Sequence, residues 1–253
     1  MFKNQYKTVI NVLINRNNSK KSRLGISAFL GLALVSSLSF PAWAGRPLAT
    51  EDAGVLGRGD CEIESFAGRA HTADSDTETT RWAQFGCGIG YNTQLAVGAG
   101  GEKAAGATTR IAALAGKTYL RELTDDQSGV VLGYAFLGAK EPGEGFKHDA
   151  TEIKAVVSVP SNGWLLHANL GSNFSHTSKL HSTVWAFAAE RPSAVGPVDL
   201  MAEVFGDNHG EPWTQFGARW QVVPERFFVD ASWGVQTDSA RTKLVTIGLK
   251  LAF

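Results

Sequence analysis

The closing stretch TKLVTIGLKLAF, residues 242–253, decides the fold. Val245, Ile247, Leu249, Leu251 and Phe253 share one face, and Thr246, Gly248 and Lys250 share the other. A period of two is a strand period. The same alternation recurs in 213–223, where Phe216, Ala218, Trp220 and Val222 oppose Gln215, Gly217, Arg219 and Gln221. In 163–174, Trp164, Leu166, Ala168 and Leu170 oppose His167, Asn169 and Asn173.

Working outward, similar runs stand at 60–70, 79–91, 93–102, 108–121, 129–138, 150–159, 181–190, 198–206 and 226–235. The total is about twelve strands, an even number, which returns both chain ends to one side. The breaks alternate in character. YNT at 91–93, PSN at 160–162 and PE at 224–225 are tight, whereas TADSDTE, KEPGEGFKHD, SHTSK, DNHGEP and TDSAR are polar and longer. LTDDQS at 123–128 is longer than its place in that pattern predicts.

A soluble sandwich also alternates, with its apolar faces inward. Three features favour an antiparallel transmembrane β-barrel. Most strands run ten residues or more, against a mode of about 5–6 in soluble sheets. Tyr91, Trp164, Phe227 and Phe253 fall at turn-side strand ends, where an aromatic interface girdle sits. The terminal outward Phe253 resembles the C-terminal signature of bacterial outer-membrane barrels, which implies the barrel-assembly machinery as a partner.

Residues 1–24 carry Lys3, Lys7, Arg16, Lys20, Lys21 and Arg23 and no acid. GISAFLGLALVSSLSF and then PAWA follow. A basic region, an apolar run and a small-x-small end make a secretory signal, with cleavage expected after Ala44. The basic region is long, which leaves a later start codon open. A membrane anchor is the alternative, but the run ends at Pro41, short of the ~20 residues a spanning helix needs.

The whole chain of 253 residues balances 24 Lys and Arg against 24 Asp and Glu. Loss of 1–44 removes six cations and no acid, so the mature charge is 18 − 24 = −6. That excludes a nucleic-acid partner, which needs excess cations. The expected organisation is a signal at 1–44, a lead-in at 45–59 and a barrel at 60–253.

Two cysteines are too few for a disulfide scaffold or a four-thiolate zinc site. In an exported, oxidising compartment they can pair. If Cys61 faces Cys87, antiparallel residues obey i + j = 148, with the midpoint at Asp74 inside the TADSD loop. Hairpin and disulfide then agree. Direct opposition is geometrically tight, so an offset of one residue is the alternative. Closing such a loop stabilises by about 3 kcal/mol on the chain-entropy account.

RPLATEDAG at the start of the mature chain, then CEIESF and FGCGIG, carry a resemblance. Arg46, Pro47, Thr50, Asp52 and Ala53, with Cys61, Glu62, Ile63 and Glu64, resemble bacterial outer-membrane barrels of the meta-pathway phenol-degradation transporter family. The likeness is specific over about 46–91. It implies an outer-membrane barrel passing aromatic or other apolar small molecules. RPLATEDAG itself is either a small plug in the periplasmic mouth or a solvated lead-in.

Parity places Glu62, Glu64, Gln84, Lys117, Arg121, Glu152, Lys154, His167, Glu203, Arg219 and Lys250 in the lumen. Glu203 is expected to pair with Arg219, and Lys250 with Glu62 or Glu64. An inward charge costs little in a wet lumen but ~2–4 kcal/mol on the lipid face. These charges either line a selective pore or fill the barrel as a bonded plug. Gly86, Gly88, Ala96, Gly98, Gly133 and Ala135 leave room, and Val131 and Leu137 suit an apolar solute.

The leading expectation is a monomeric passive channel or uptake protein in outer-membrane lipid, with a small-molecule solute and no cofactor. A filled barrel with a structural or docking role is one alternative. The other is a lipid hydrolase using His176 with Ser178, or His181 with Ser182, oriented by Asn173 or Glu190. No G-x-S-x-G elbow occurs. His71, His148 and His209 stand in separate outer loops, which does not make a metal site. Gly86-x-Gly88-x-Gly90 and Gly98-x-Gly100 are strand glycines rather than nucleotide loops, because no helix follows.

Overall fold

The computed structural model describes residues 46–72, 77–237 and 241–253. The expected signal at 1–44, its cleavage site and the loop midpoint at Asp74 lie outside the described residues. Twelve antiparallel strands follow one another in chain order. They are β1 (Cys61–His71), β2 (Glu78–Gly90), β3 (Thr93–Ala104), β4 (Ala107–Arg121), β5 (Gly129–Lys140) and β6 (Lys147–Ser161). The ring continues with β7 (Trp164–Ser175), β8 (Leu180–Val195), β9 (Val198–Asp207), β10 (Trp213–Val223), β11 (Phe227–Gln236) and β12 (Lys243–Ala252). Each pairs with its chain neighbours, and β1 pairs with β12, so the sheet closes as a barrel. Closure leaves no unpaired edge.

The alternation is realised with apolar residues outward. Phe85, Val97, Leu114, Phe136, Leu170, Phe187, Phe216, Ile247 and Leu251 are exposed on the outer wall. Glu62, Glu64, Lys117, Glu152, Lys154, Glu203 and Asp230 are buried in the lumen. A water-soluble protein does the reverse, because apolar area is driven from water. This wall is built for a hydrocarbon solvent, where only strand pairing satisfies the backbone. Tyr91, Trp164 and Phe253 are exposed at the end that holds the C-terminus, and the Phe85 and Phe253 rings stack with centroids 6.5 Å apart.

The disulfide Cys61–Cys87 forms between directly opposed residues, without the one-residue offset. The register of β1 and β2 therefore obeys the sum of 148 throughout, as in Glu64↔Gln84 and Ala70↔Glu78. The turns depart from expectation in two places. On the far side, β3 and β4 are joined by only Ala105 and Gly106, both at positive φ. The β6–β7 turn is Asn162-Gly163, also both at positive φ, while Pro160 and Ser161 remain in the ladder. Asn-Gly suits a two-residue hairpin whose twist matches its strands.

Candidate functional site: the lumen and the segment that crosses it

Residues 46–56 run inside the barrel. They have no periodicity and form no strand, so their backbone groups must find partners elsewhere. Those partners are side chains of the lumen wall. Glu203 of β9 accepts from the Ala49 N–H at 2.8 Å, from the Thr50 N–H at 2.7 Å and from the Thr50 hydroxyl at 2.7 Å. Asn169 of β7 accepts from the Glu51 N–H at 2.7 Å and donates to the Glu51 carbonyl at 2.9 Å. The Ser158 hydroxyl accepts from the Ala53 N–H and the Gln94 amide oxygen from the Leu56 N–H, each at 2.8 Å. Gln215 donates to the Pro47 carbonyl at 3.0 Å and to Glu203 at 2.8 Å.

Charge fixes the segment as well. The buried Glu51 carboxylate lies 3.2 Å from Lys154 Nζ and 3.6 Å from Lys117 Nζ. Lys154 also meets Glu152 at 2.8 Å, and Lys117 meets Asp52 at 3.3 Å. At the other end Arg46 binds Asp230 at 2.9 Å and Thr246 at 3.0 Å, with its guanidinium 4.2 Å above the Phe66 ring. Contacts thus pass from β3 through β4, β6, β7, β9 and β10 to β11, β12 and β1. The segment lies inside the lumen, held by side chains of nine of the twelve strands.

Apolar contacts complete the seat. Leu48 packs with Ala188 and Met201, and Ala53 with Val131 and Val156. Toward the far end Ala49 touches a cluster of Ala186, Phe205, Trp213 and Leu244, with Phe205 and Trp213 stacked at 6.3 Å.

The structure corrects several expectations. Arg121 is exposed and bonds Ser128, because the β4–β5 register shifts between Tyr119 and Arg121 and ends the inward row. Glu203 does not pair with Arg219. The register sets Glu203 opposite Gln215 and Arg219 opposite Asp199, so Arg219 binds Asp199 at 2.9 Å and also Glu190. Lys250 bridges both Glu62 at 2.6 Å and Glu64 at 3.3 Å across the β1–β12 seam. Gln84 donates to Glu64 at 2.8 Å. His167 is buried with its Nδ1 2.8 Å from the Ser158 hydroxyl and its Nε2 3.8 Å from Glu190.

The lumen glycines are not vacant space. A Cβ on Gly88 would stand 2.0 Å from the Gly57 carbonyl oxygen, and one on Gly98 would stand 2.2 Å from the Trp82 ring. The missing side chains admit the segment and an inward Trp82. Val131 is likewise covered by Ala53.

The hydrolase pairs also rearrange. His176 bonds Thr151 at 3.0 Å rather than Ser178. His181 meets Ser172 at 2.7 Å, while Ser182 is buried on the lumen side. Asn173 and Glu190 are buried in the lumen, across the sheet from both imidazoles, and orient neither. His148 and His176 stack at 3.9 Å, His209 bonds the His181 carbonyl at 2.8 Å, and His71 ends β1.

Residues 32–253 match the family described as uncharacterised conserved protein UCP029691, and the chain belongs to it. No curated protein matches the chain. Among solved structures it is similar to the KdgM porin in complex with disordered oligogalacturonate, with TM-score 0.53 and 5% identity over 75% of this chain and 99% of that one. It is similar to the NanC porin, with TM-score 0.54 and 7% identity over 75% and 98%. It is also similar to the COG4313 outer membrane channel from Pseudomonas putida F1, with TM-score 0.53 and 11% identity over 80% and 98%. At these identities the likeness is one of fold.

Proposed function

We propose that the protein is an outer-membrane channel for small molecules whose lumen is closed at rest by its own residues 46–56. The observation that carries this is Glu203, a wall carboxylate whose oxygens are spent on the segment's backbone and on Gln215. A barrel that needed only filling would do so with wall side chains. Here a separate stretch of chain is held by reversible bonds, which is how a removable closure is built. The outward apolar wall and the fold shared with porins and a channel support the location. An export signal at 1–44 is part of the same reading.

Aromatic or other apolar solutes fit best. Phe205, Trp213 and Leu244 form a buried apolar cluster inside the barrel, against which Ala49 of the segment packs, so withdrawal of the segment would bare it. The resemblance of the 46–91 region to the phenol-degradation transporter family points the same way. Planar-bilayer recording tests the proposal. The intact protein is expected to be nearly silent, and removal of 46–56 to give steady conductance. Should that variant fail to fold, Glu203→Ala serves, with heat-modifiable gel mobility as the folding check. Silence in a folded, unplugged barrel would sink the channel reading and leave the filled, structural barrel.

A lipid hydrolase is the second reading, favoured by the exposed Ser172–His181 contact on the outer wall. Among the described residues no carboxylate bonds that imidazole, so the dyad lacks an orienting acid. Absence of phospholipid hydrolysis by the pure protein would dispose of it. Hydrolysis lost in Ser172→Ala would establish it.

A further inference from the structure

The outward face of β1–β5 carries a second feature, at the end away from the C-terminus. The register aligns Arg69 with Thr79 and Thr79 with Lys103 in one row. The next row runs Ala67, Arg81, Gly101, Arg110 and Lys140. Five cations therefore occupy two adjacent rows. The acids of these strands, Glu62, Glu64, Glu78 and Glu102, sit at the opposite parity and are buried in the lumen. At this end of the barrel strand alternation has sorted the signs, with anions inside and cations outside.

Nothing within the described residues neutralises this patch, since none of the five forms an ion pair there. Arg110 and Lys140 are direct cross-strand partners, an arrangement that is destabilising when left uncompensated. A step further toward the C-terminal end, the same faces turn apolar with Phe85, Val97 and Leu114. The cations therefore stand at the border of the hydrocarbon belt. Between Arg69, Arg81 and Lys103 lies a groove of about 570 Å³, with the Thr77 and Thr79 side chains in its wall. Among the described residues nothing covers it, because the β3–β4 connection beside it is only Ala105-Gly106.

The geometry points to a binding site for phosphorylated lipid headgroups of the outer leaflet. Guanidinium forks match phosphate oxygens in paired bonds, and ammonium and hydroxyl groups add further donors. A headgroup fixed in the leaflet lies beside the groove already, whereas a free anion must be drawn from solution against screening. Several phosphates on one headgroup would satisfy several cations at once. This inference rests on the outer-membrane location proposed above.

The test uses the full barrel in phosphatidylcholine nanodiscs and an acylated glucosamine disaccharide bearing two phosphates. Wild type is expected to bind it at least tenfold more tightly than the dephosphorylated lipid. Arg69→Gln/Arg81→Gln/Lys103→Gln is expected to erase that difference while keeping heat-modifiable mobility. Should the triple variant misfold, Arg81→Gln and Lys103→Gln separately are each expected to weaken binding about threefold. Equal binding of both lipids, or unchanged binding by folded variants, would overturn the site. Competition by inorganic phosphate at concentrations equal to the lipid's would overturn the lipid source. Fractionation of the native protein with the inner membrane would break the location instead, whatever the lipid assay shows.

Discussion

The two sides of the lumen hold the N-terminal segment in opposite ways. The wall of β6, β7, β9 and β10 grips it, with Ser158, Asn169, Glu203 and Gln215 each bonding its backbone. The wall of β2 yields to it, because Gly88 has no side chain where Gly57 and Leu56 pass. One side specifies position by directional bonds, and the other permits it by absence of atoms. A binding groove needs both, since bonds without clearance leave no room and clearance without bonds leaves no address.

The gripping side should break hardest where charge is buried. Lys154→Met leaves Glu51 and Glu152 without their shared cation, and removing one member of a buried pair costs about 3–5 kcal/mol. Urea unfolding in vesicles, followed by tryptophan fluorescence, should show that loss, and open probability in bilayers should rise. The disulfide ties β1 to β2 on the yielding side. Cys61→Ser/Cys87→Ser should cost about 3 kcal/mol in the same titration, with the channel still closed. Gly88→Ala puts a methyl against carbonyl oxygens that cannot rotate away, for a cost of ~1–3 kcal/mol. Its signature should be conductance, because the displaced element is the segment rather than the wall. Glu203→Gln keeps the shape and one acceptor but removes the charge, so a loss of roughly 1.5 kcal/mol is expected.

The smallest effect lies outside both walls. His176, in the β7–β8 turn, is held below the ordinary imidazole range by partial desolvation and then by the charges of His148 and Lys179, against the pull of Asp149. The unfolded chain then takes up the proton first. Stability contributed here is whole at neutral pH and declines as pH falls below about 6.5 toward the folded value. His176→Gln should flatten that slope and leave conductance unchanged. A slope that persists would assign it to another group.

The strands were legible because a period of two and turn residues are both local. Eleven residues of β1 alternate without error, and the cysteines set their register against β2. The inner network was less legible. Parity finds which residues point inward, but pairing needs the register between strands, and β9 and β10 carry no covalent mark to set it. Parity alone therefore matches Glu203 to Arg219, four residues along β10 from its true neighbour Gln215. Arg121 was lost to a single bulge, which no alternation predicts. The plug was legible only as a choice, because an aperiodic stretch shows its partners nowhere in its own letters. Small residues in the wall were the available signal. Gly88 and Gly217, which would clash with Gly57 and Pro47, mark the track of something that passes close.

The path of the segment has a mechanical consequence. Strands in a ring are fastened only to their neighbours, so a ring of twelve can flatten into an ellipse without breaking a single rung. Arg46 reaching Asp230 and Leu56 reaching Gln94 make residues 46–56 a set of spokes between strands that never touch. While they are engaged, the cross-section is braced against that flattening. On the proposed channel reading, releasing them would free a passage and soften the hoop in the same motion, so opening would register as a change of shape in the surrounding bilayer.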